Sequence, residues 1–190
     1  MTKEPEAEQK LARSAYADGP RLLADIGATH ARLALEMAPG VLGAVRILKC
    51  DDYPGILPLL RAYLLEHGTQ RISHAAFALA NPISGDMIRM TNRDWQFSTE
   101  EVRRELGLNT LLIVNDFTAL AMSLPALGPN ELMKVGGGDP VPNAVIGVLG
   151  PGTGLGVSGL IPTADGFVTL GSEGGHASFA PSDEREHPTP

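Results

Sequence analysis

The chain has 190 residues, 43% hydrophobic and 19% charged, with 15 basic against 22 acidic side chains and a formal net charge of −7. That apolar share can build a packed core, and no apolar run approaches the ~18 residues of a membrane-spanning helix. The acidic balance speaks against a nucleic-acid backbone as partner, and a lone cysteine, Cys50, can form no internal disulfide, so a soluble cytoplasmic protein is expected.

Residues 1–20 mix Lys3, Lys10 and Arg13 with Glu4, Glu6, Glu8 and Asp18 and hold no apolar segment. They read as a disordered tail rather than a secretory signal. Order is expected from Leu22. The run Leu22–Ile26 is apolar except for Asp25, Gly27-Ala28-Thr29 breaks it, and Ala31–Glu36 alternates, which predicts strand, tight turn and strand. A third strand is expected over Ala44–Lys49. Ile56, Leu59, Leu60, Tyr63 and Leu64 then repeat at helical spacing, between Pro54 and Gly68.

His74–Ala80 reads as a buried strand of small residues, and Pro82–Arg93 as a turn-rich excursion or hairpin. Ser98-Thr99-Glu100-Glu101 is a capping box, with Phe97 and Val102 placed for a hydrophobic staple, and its helix should stop at Gly107. Leu111–Val114 reads as a strand and Phe117–Leu124 as a short helix ended by Pro125. After a flexible connection through Gly136–Pro142, three more strands are expected: Val145–Leu149, Leu155–Ile161 and Phe167–Leu170. This order predicts an α/β fold, a mixed sheet with helices on both faces. The domains expected are residues 21–135, an incomplete second α/β domain over 136–181 and a tail over 182–190. Both units open strand, Gly/Thr turn, strand, and the second lacks helices after it, as in a chain truncated at its C-terminus.

Four places can carry chemistry. Gly150, Gly152, Gly154, Gly156 and Gly159 form the densest glycine cluster, and Gly154–Gly159 spells G-x-G-x-x-G without the following helix that a dinucleotide fingerprint requires. On a strand-to-strand turn, such glycines admit a phosphate close to backbone amides, or they make a bulged hairpin. Asp25, at the first turn, is placed to hold Mg²⁺ through water while Thr29 and the turn amides face phosphate, or it satisfies local amides. Asn115-Asp116 ends a strand and begins a helix, where open sheets bind ligands; Asp116 can accept a hydroxyl proton, or one of the pair caps the helix. Glu173-Gly174-Gly175-His176 suits a polyol-binding loop, or a glycine turn with exposed polar groups. His30, His67, His74 and His187 have no evident partner in the sequence.

Five stretches together resemble the proteobacterial type of bacterial glucokinase, within the actin, sugar-kinase and heat-shock ATPase superfamily. They are Leu23–Thr29, Met90–Trp95, Asn115–Ala119, Leu149–Gly156 and Gly171–His176, in family order across residues 21–181. The resemblance implies a ribonuclease-H-like, actin-like fold and ATP-dependent phosphorylation of D-glucose at its 6-hydroxyl. It implies Asp116 as general base and Asn115, Asp116, Glu173 and His176 as glucose ligands. ATP would be met by Asp25, Gly27, Ala28, Thr29, Gly150, Gly152, Thr153 and Gly154, with Mg²⁺ at Asp25. The expected partners are glucose and ATP, with no nucleic acid or membrane, and a homodimer is compatible. The chain has Ala28 and His30 where the family usually has Gly and Asn. A non-catalytic sugar-binding or regulatory fragment, and a kinase of another hexose, are the competing readings.

Overall fold

The first strand sets the frame. In β1 (Arg21–Ile26) every second residue, Leu22, Ala24 and Ile26, is buried, as the period-2 pleat requires when one face meets a core. The structure, a computed structural model, describes residues 16–68, 71–91, 93–151 and 154–177. Antiparallel to β1 runs β2 (His30–Ala38), and β3 (Val41–Lys49) pairs β2 on its outer side. Two parallel neighbours, β4 (His74–Leu79) and β7 (Thr110–Asn115), complete a mixed sheet in the order β3-β2-β1-β4-β7. Between them in sequence, β5 (Met87–Arg89) and β6 (Gln96–Ser98) form a separate two-stranded hairpin. β5 lies within Pro82–Arg93, the stretch read as an excursion or hairpin, and β6 follows it.

Cross-strand register aligns the inward residues into rows: Leu35, Leu22 and Ala75; Leu33, Ala24 and Phe77; Ala31, Ile26 and Leu79. The helix α1 (Ile56–Glu66) lays Ile56, Leu59, Leu60 and Tyr63 into the same cluster, and α2 (Thr99–Glu105) adds Val102. Ser98 caps α2 as its sequence indicates, its hydroxyl accepting from the Glu101 amide at 3.0 Å. Phe97 and Val102, the expected staple, are both buried in the cluster. Gly107 lies just beyond the helix with φ +66°, the left-handed conformation usual after a C-terminus. The opposite sheet face is more open: Leu23, Ala76, Ala78 and Val114 are half-buried and Leu112 is exposed. Among the described residues, α1 and α2 both contribute to this one buried cluster.

Order begins before Leu22. The Tyr16 hydroxyl donates to Glu36 at 2.9 Å, Arg21 lies over the Tyr16 ring, and Asp18 pairs with Arg21 and with His74. Pro20 is buried. Asp18, one of the charges that read as a solvated tail, thus has partners on β1 and β4, and Tyr16 has one on β2. The remaining residues of the expected N-terminal tail, 1–15, and those of the C-terminal tail, 182–190, lie outside the described residues.

By their contacts the residues fall into two compact units that divide between Asp116 and Phe117. The second contains most of α3 (Asp116–Ser123) and an antiparallel meander of β8 (Ile146–Pro151), β9 (Leu155–Thr163) and β10 (Gly166–Ser172). Its buried cluster is small: Ala121, Val148 and Leu160, with Phe117 and Leu124 against them. Among the described residues no helix is long and apolar enough to cross a membrane.

Candidate active site

Parallel pairing brings three chain segments to one edge of the first unit. Ile26, Leu79 and Asn115, the last residues of β1, β4 and β7, lie side by side in register. The Gly27–Thr29 turn, the Ala80-Asn81 exit and the Asn115-Asp116 pair therefore share the carboxyl edge, where open α/β sheets bind ligands. With β4 between them, the turn and the Asn-Asp pair stand two strand spacings apart, ~10 Å.

The turn is held from behind at each carbonyl. Cys50 Sγ lies 3.8 Å from the Gly27 carbonyl, the Cys50 amide donates to the Thr29 carbonyl at 2.9 Å, and Arg93 donates to that of Ala28. Ala28 has no positive φ, so its methyl causes no backbone strain where the family usually has glycine. A Cβ on Gly27 would meet only the His30 carbonyl, at an ordinary 3.5 Å. The fold itself thus does not demand a glycine there, and the open side of Gly27 is a place a ligand can fill. Cys50 is buried, which pushes its thiol pKa up and makes it a poor nucleophile.

Asp25 points to the less buried sheet face and pairs with Arg32, its cross-strand neighbour, at 2.9 Å. The pair is exposed enough for solvent to weaken it. No group of three or more His, Cys, Asp or Glu side chains among the described residues is arranged to hold a metal. Mg²⁺ does not require one, because it keeps waters and takes one or two carboxylates plus substrate phosphates. Asp25 fits such an ion through Oδ1, the oxygen that Arg32 leaves out of its short contact.

At the far end of the edge the Asn115 amide donates to Asp116 Oδ1 at 3.0 Å and, more weakly, to the Asn81 carbonyl at 3.4 Å. β7 ends at Asn115 and α3 starts at Asp116, so a strand–helix junction fixes both backbones. Both residues are half-buried. This joins an amide donor to a carboxylate that can accept a proton from a hydroxyl brought against it.

In the second unit the glycine cluster divides by cause. Gly150 and Gly156 are cross-strand partners on β8 and β9, and the Phe117 ring lies against both. A methyl on Gly156 would overlap that ring, and one on Gly150 would come within 2.8 Å of it. Gly159 packs against the Ile146 carbonyl. Internal packing therefore accounts for three of the five. Gly154 has open space where its side chain would be. Gly152 and Thr153 lie outside the described residues.

Glu173 is exposed and precedes a single 3₁₀ turn, Gly174–His176, pinned by the Gly174 amide donating to the Ser172 hydroxyl at 3.0 Å. A Cβ on Gly175 would overlap the Leu155 carbonyl, so this glycine is also required by packing. The loop expected from the paired glycines is present; the side chain of His176 lies outside what is described.

Sequence reasoning assigned no role to Asn81 or Arg93. Asn81 is buried, its Oδ1 accepting from the Thr91 amide at 2.9 Å and its Nδ2 donating to the Pro82 carbonyl at 2.9 Å. Asn-Pro is a turn-initiating pair, and that was the available signal. Arg93 belongs to the Met90–Trp95 stretch, but its partners, Ala28 and Asp51, are distant in sequence. Together the two residues tie the hairpin loop to the turn after β1 and to the exit of β4.

The glucokinase family profile matches residues 22–189. The chain belongs to the glucokinase family. It is 60% identical over 171 residues to the bifunctional protein glk of Paraburkholderia xenovorans, covering 90% of this chain and 27% of that protein. Against the glucokinase of Chromobacterium violaceum it is 55% identical over 167 residues, covering 88% of this chain and 48% of the relative. The crystal structure of a glucokinase from an Antarctic psychrotroph superposes with a TM-score of 0.78 at 34% identity, over 90% of this chain and 54% of that one. The mixed sheet is thus that of the actin-like sugar kinases, and the chain spans about half the length of the glucokinases it matches, less of the bifunctional relatives. Within the glucokinase family framework, the Gly27–Thr29 turn and the Asn115-Asp116 pair are the segments brought to one edge.

Proposed function

We propose that the protein transfers the γ-phosphoryl group of ATP to the 6-hydroxyl of D-glucose, in the cytoplasm. The observation that carries this reading is the Asn115-Asp116 pair at the carboxyl end of β7, in register with the glycine turn after β1. Membership of the glucokinase family supports it.

In this reading Asn115, Glu173 and His176 bind sugar hydroxyls and orient the 6-hydroxyl towards Asp116. The Asp116 carboxylate takes the hydroxyl proton as the sugar oxygen bonds to the γ-phosphorus and the bond to the β-phosphate oxygen breaks. Phosphoryl transfer needs positioning and charge neutralisation more than covalent help. Amides of the Gly27–Thr29 turn supply dipoles to the phosphates, and Gly150, Gly152, Thr153 and Gly154 are the further ATP contacts in this reading. Mg²⁺, held through water at Asp25, would neutralise phosphate charge.

ADP formation by the complete protein tests this, with glucose, mannose and N-acetylglucosamine as alternative acceptors. Glucose should give the highest kcat/KM. A higher value for another sugar would make it a kinase of that hexose, and calorimetric glucose binding without ADP release would make it a sugar-binding module.

A further inference from the structure

We infer that Arg93 is a positioning residue that orients the Gly27–Thr29 turn for the nucleotide phosphates; this rests on the kinase reading above. Its side chain is only 9% exposed, although its salt-bridge partner Asp51 is 82% exposed, so the guanidinium is buried in the molecule rather than spread on its surface. One nitrogen serves two oxygens: Nη2 donates to the Ala28 carbonyl and to Asp51 Oδ1, the latter at 3.0 Å. The guanidinium carbon sits 4.5 Å from the centroid of the Trp95 ring, a cation–π contact with the only tryptophan of the chain. Trp95 is buried in the main cluster, so the contact anchors the arginine to the core of the unit.

The consequence follows from peptide geometry. In a trans peptide the C=O and the following N–H point in opposite directions. Arg93 draws the Ala28 carbonyl towards the hairpin loop and so directs the Thr29 N–H away from it. Cys50, on the Gly27 and Thr29 carbonyls, acts on the peptides to either side. Two different elements thus hold three consecutive peptide carbonyls, which fixes the peptide planes whose N–H groups an anion can meet. Lysine is a poor substitute here, since a compact ammonium lacks the planar face that stacks on Trp95.

The test uses the complete protein and its Arg93→Gln and Arg93→Lys variants. Binding of AMPPNP and of glucose is measured by calorimetry, and KM for ATP and for glucose in the kinase assay. Arg93→Gln should weaken AMPPNP binding and raise the ATP KM about tenfold, as loss of one charge-assisted hydrogen bond implies. The glucose dissociation constant should stay within about twofold, which also reports a folded protein, and Arg93→Lys should recover part of the loss. Unchanged AMPPNP binding in a folded Arg93→Gln protein, or equal weakening of both ligands in both variants, overturns the inference. If the wild type phosphorylates glucose and the variants bind AMPPNP normally, this inference alone falls. A wild type that neither binds AMPPNP nor forms ADP overturns the kinase reading with it.

Discussion

At the scale of single residues, burial and hydrogen bonding separate the groups that shape the molecule from those free to react. Tyr63 is fully buried on α1, its hydroxyl donating to the Ala44 carbonyl at 2.8 Å, and burial pushes its pKa up to about 12. Ala44 has φ +52°, a left-handed backbone outside the usual range for alanine, at an irregular stretch of the β2–β3 pairing. Replacing Tyr63 with Phe strands that carbonyl, and denaturant melts should show a loss of about 1 kcal/mol. A melt identical to wild type would mean that water satisfies Ala44. A raised phenol pKa also fixes a sign: the stabilisation is complete below pH 10 and is lost as pH climbs towards about 12. Alkaline unfolding should therefore shift in Tyr63→Phe.

The contrast between legible and hidden features is also clearest in particular residues. Asp25 and Asp116 stand out as carboxylates next to apolar runs, and any reader of the chain finds them. The Arg32 partner of Asp25 is invisible until the β1–β2 register is known, although seven positions apart across a tight turn is the spacing at which such a register falls. Arg93 stands in the Met90–Trp95 stretch beside Trp95, but these neighbours do not show what it holds. Its role depends on partners 65 and 42 positions away.

At the scale of elements, local rules carried far. The α1 stripe, the Ser98 cap and the alternation of β1 each depend on spacing alone, and each element lies where its pattern falls. The short strands β5 and β6 hold three residues apiece, too few for a period to declare itself. The glycine cluster misleads for a related reason: a glycine required by a phosphate and one required by a phenylalanine ring look the same in one dimension. Phe117 decides the matter for Gly150 and Gly156. Gly156→Ala must push the ring aside and should lower stability by about 1–3 kcal/mol, read as a drop in the denaturation midpoint. Gly154→Ala should leave that midpoint unchanged; a similar drop there would contradict the division of the cluster.

The start of α2 offers an element-scale test of pH. Asp86 is held below the usual carboxylate range by the Ser98 hydroxyl and then by the Glu100 amide and the Thr99 side chain, so the ionised form caps the helix. A depressed pKa stabilises the fold above the ordinary carboxylate value, and that contribution fades as pH falls through the depressed one. Asp86→Asn should therefore flatten the melting temperature against pH below about 4. A variant curve parallel to wild type would place the acid sensitivity elsewhere.

At the scale of the whole molecule, topology does what no single motif can. Two parallel strand pairs lay the ends of β1, β4 and β7 along one edge, and so bring a turn near residue 28 to the same edge as a carboxylate at residue 116. The order of elements in the sequence predicted a mixed sheet, but not which strands adjoin, and adjacency is what makes a site of separate motifs. The most direct test is phosphoryl transfer by Asp116→Ala in the complete protein, with AMPPNP binding as the control. The account predicts intact nucleotide binding and a fall in glucose-dependent ADP formation of ~10²–10⁴-fold. Turnover equal to wild type would contradict it and remove Asp116 from the chemistry.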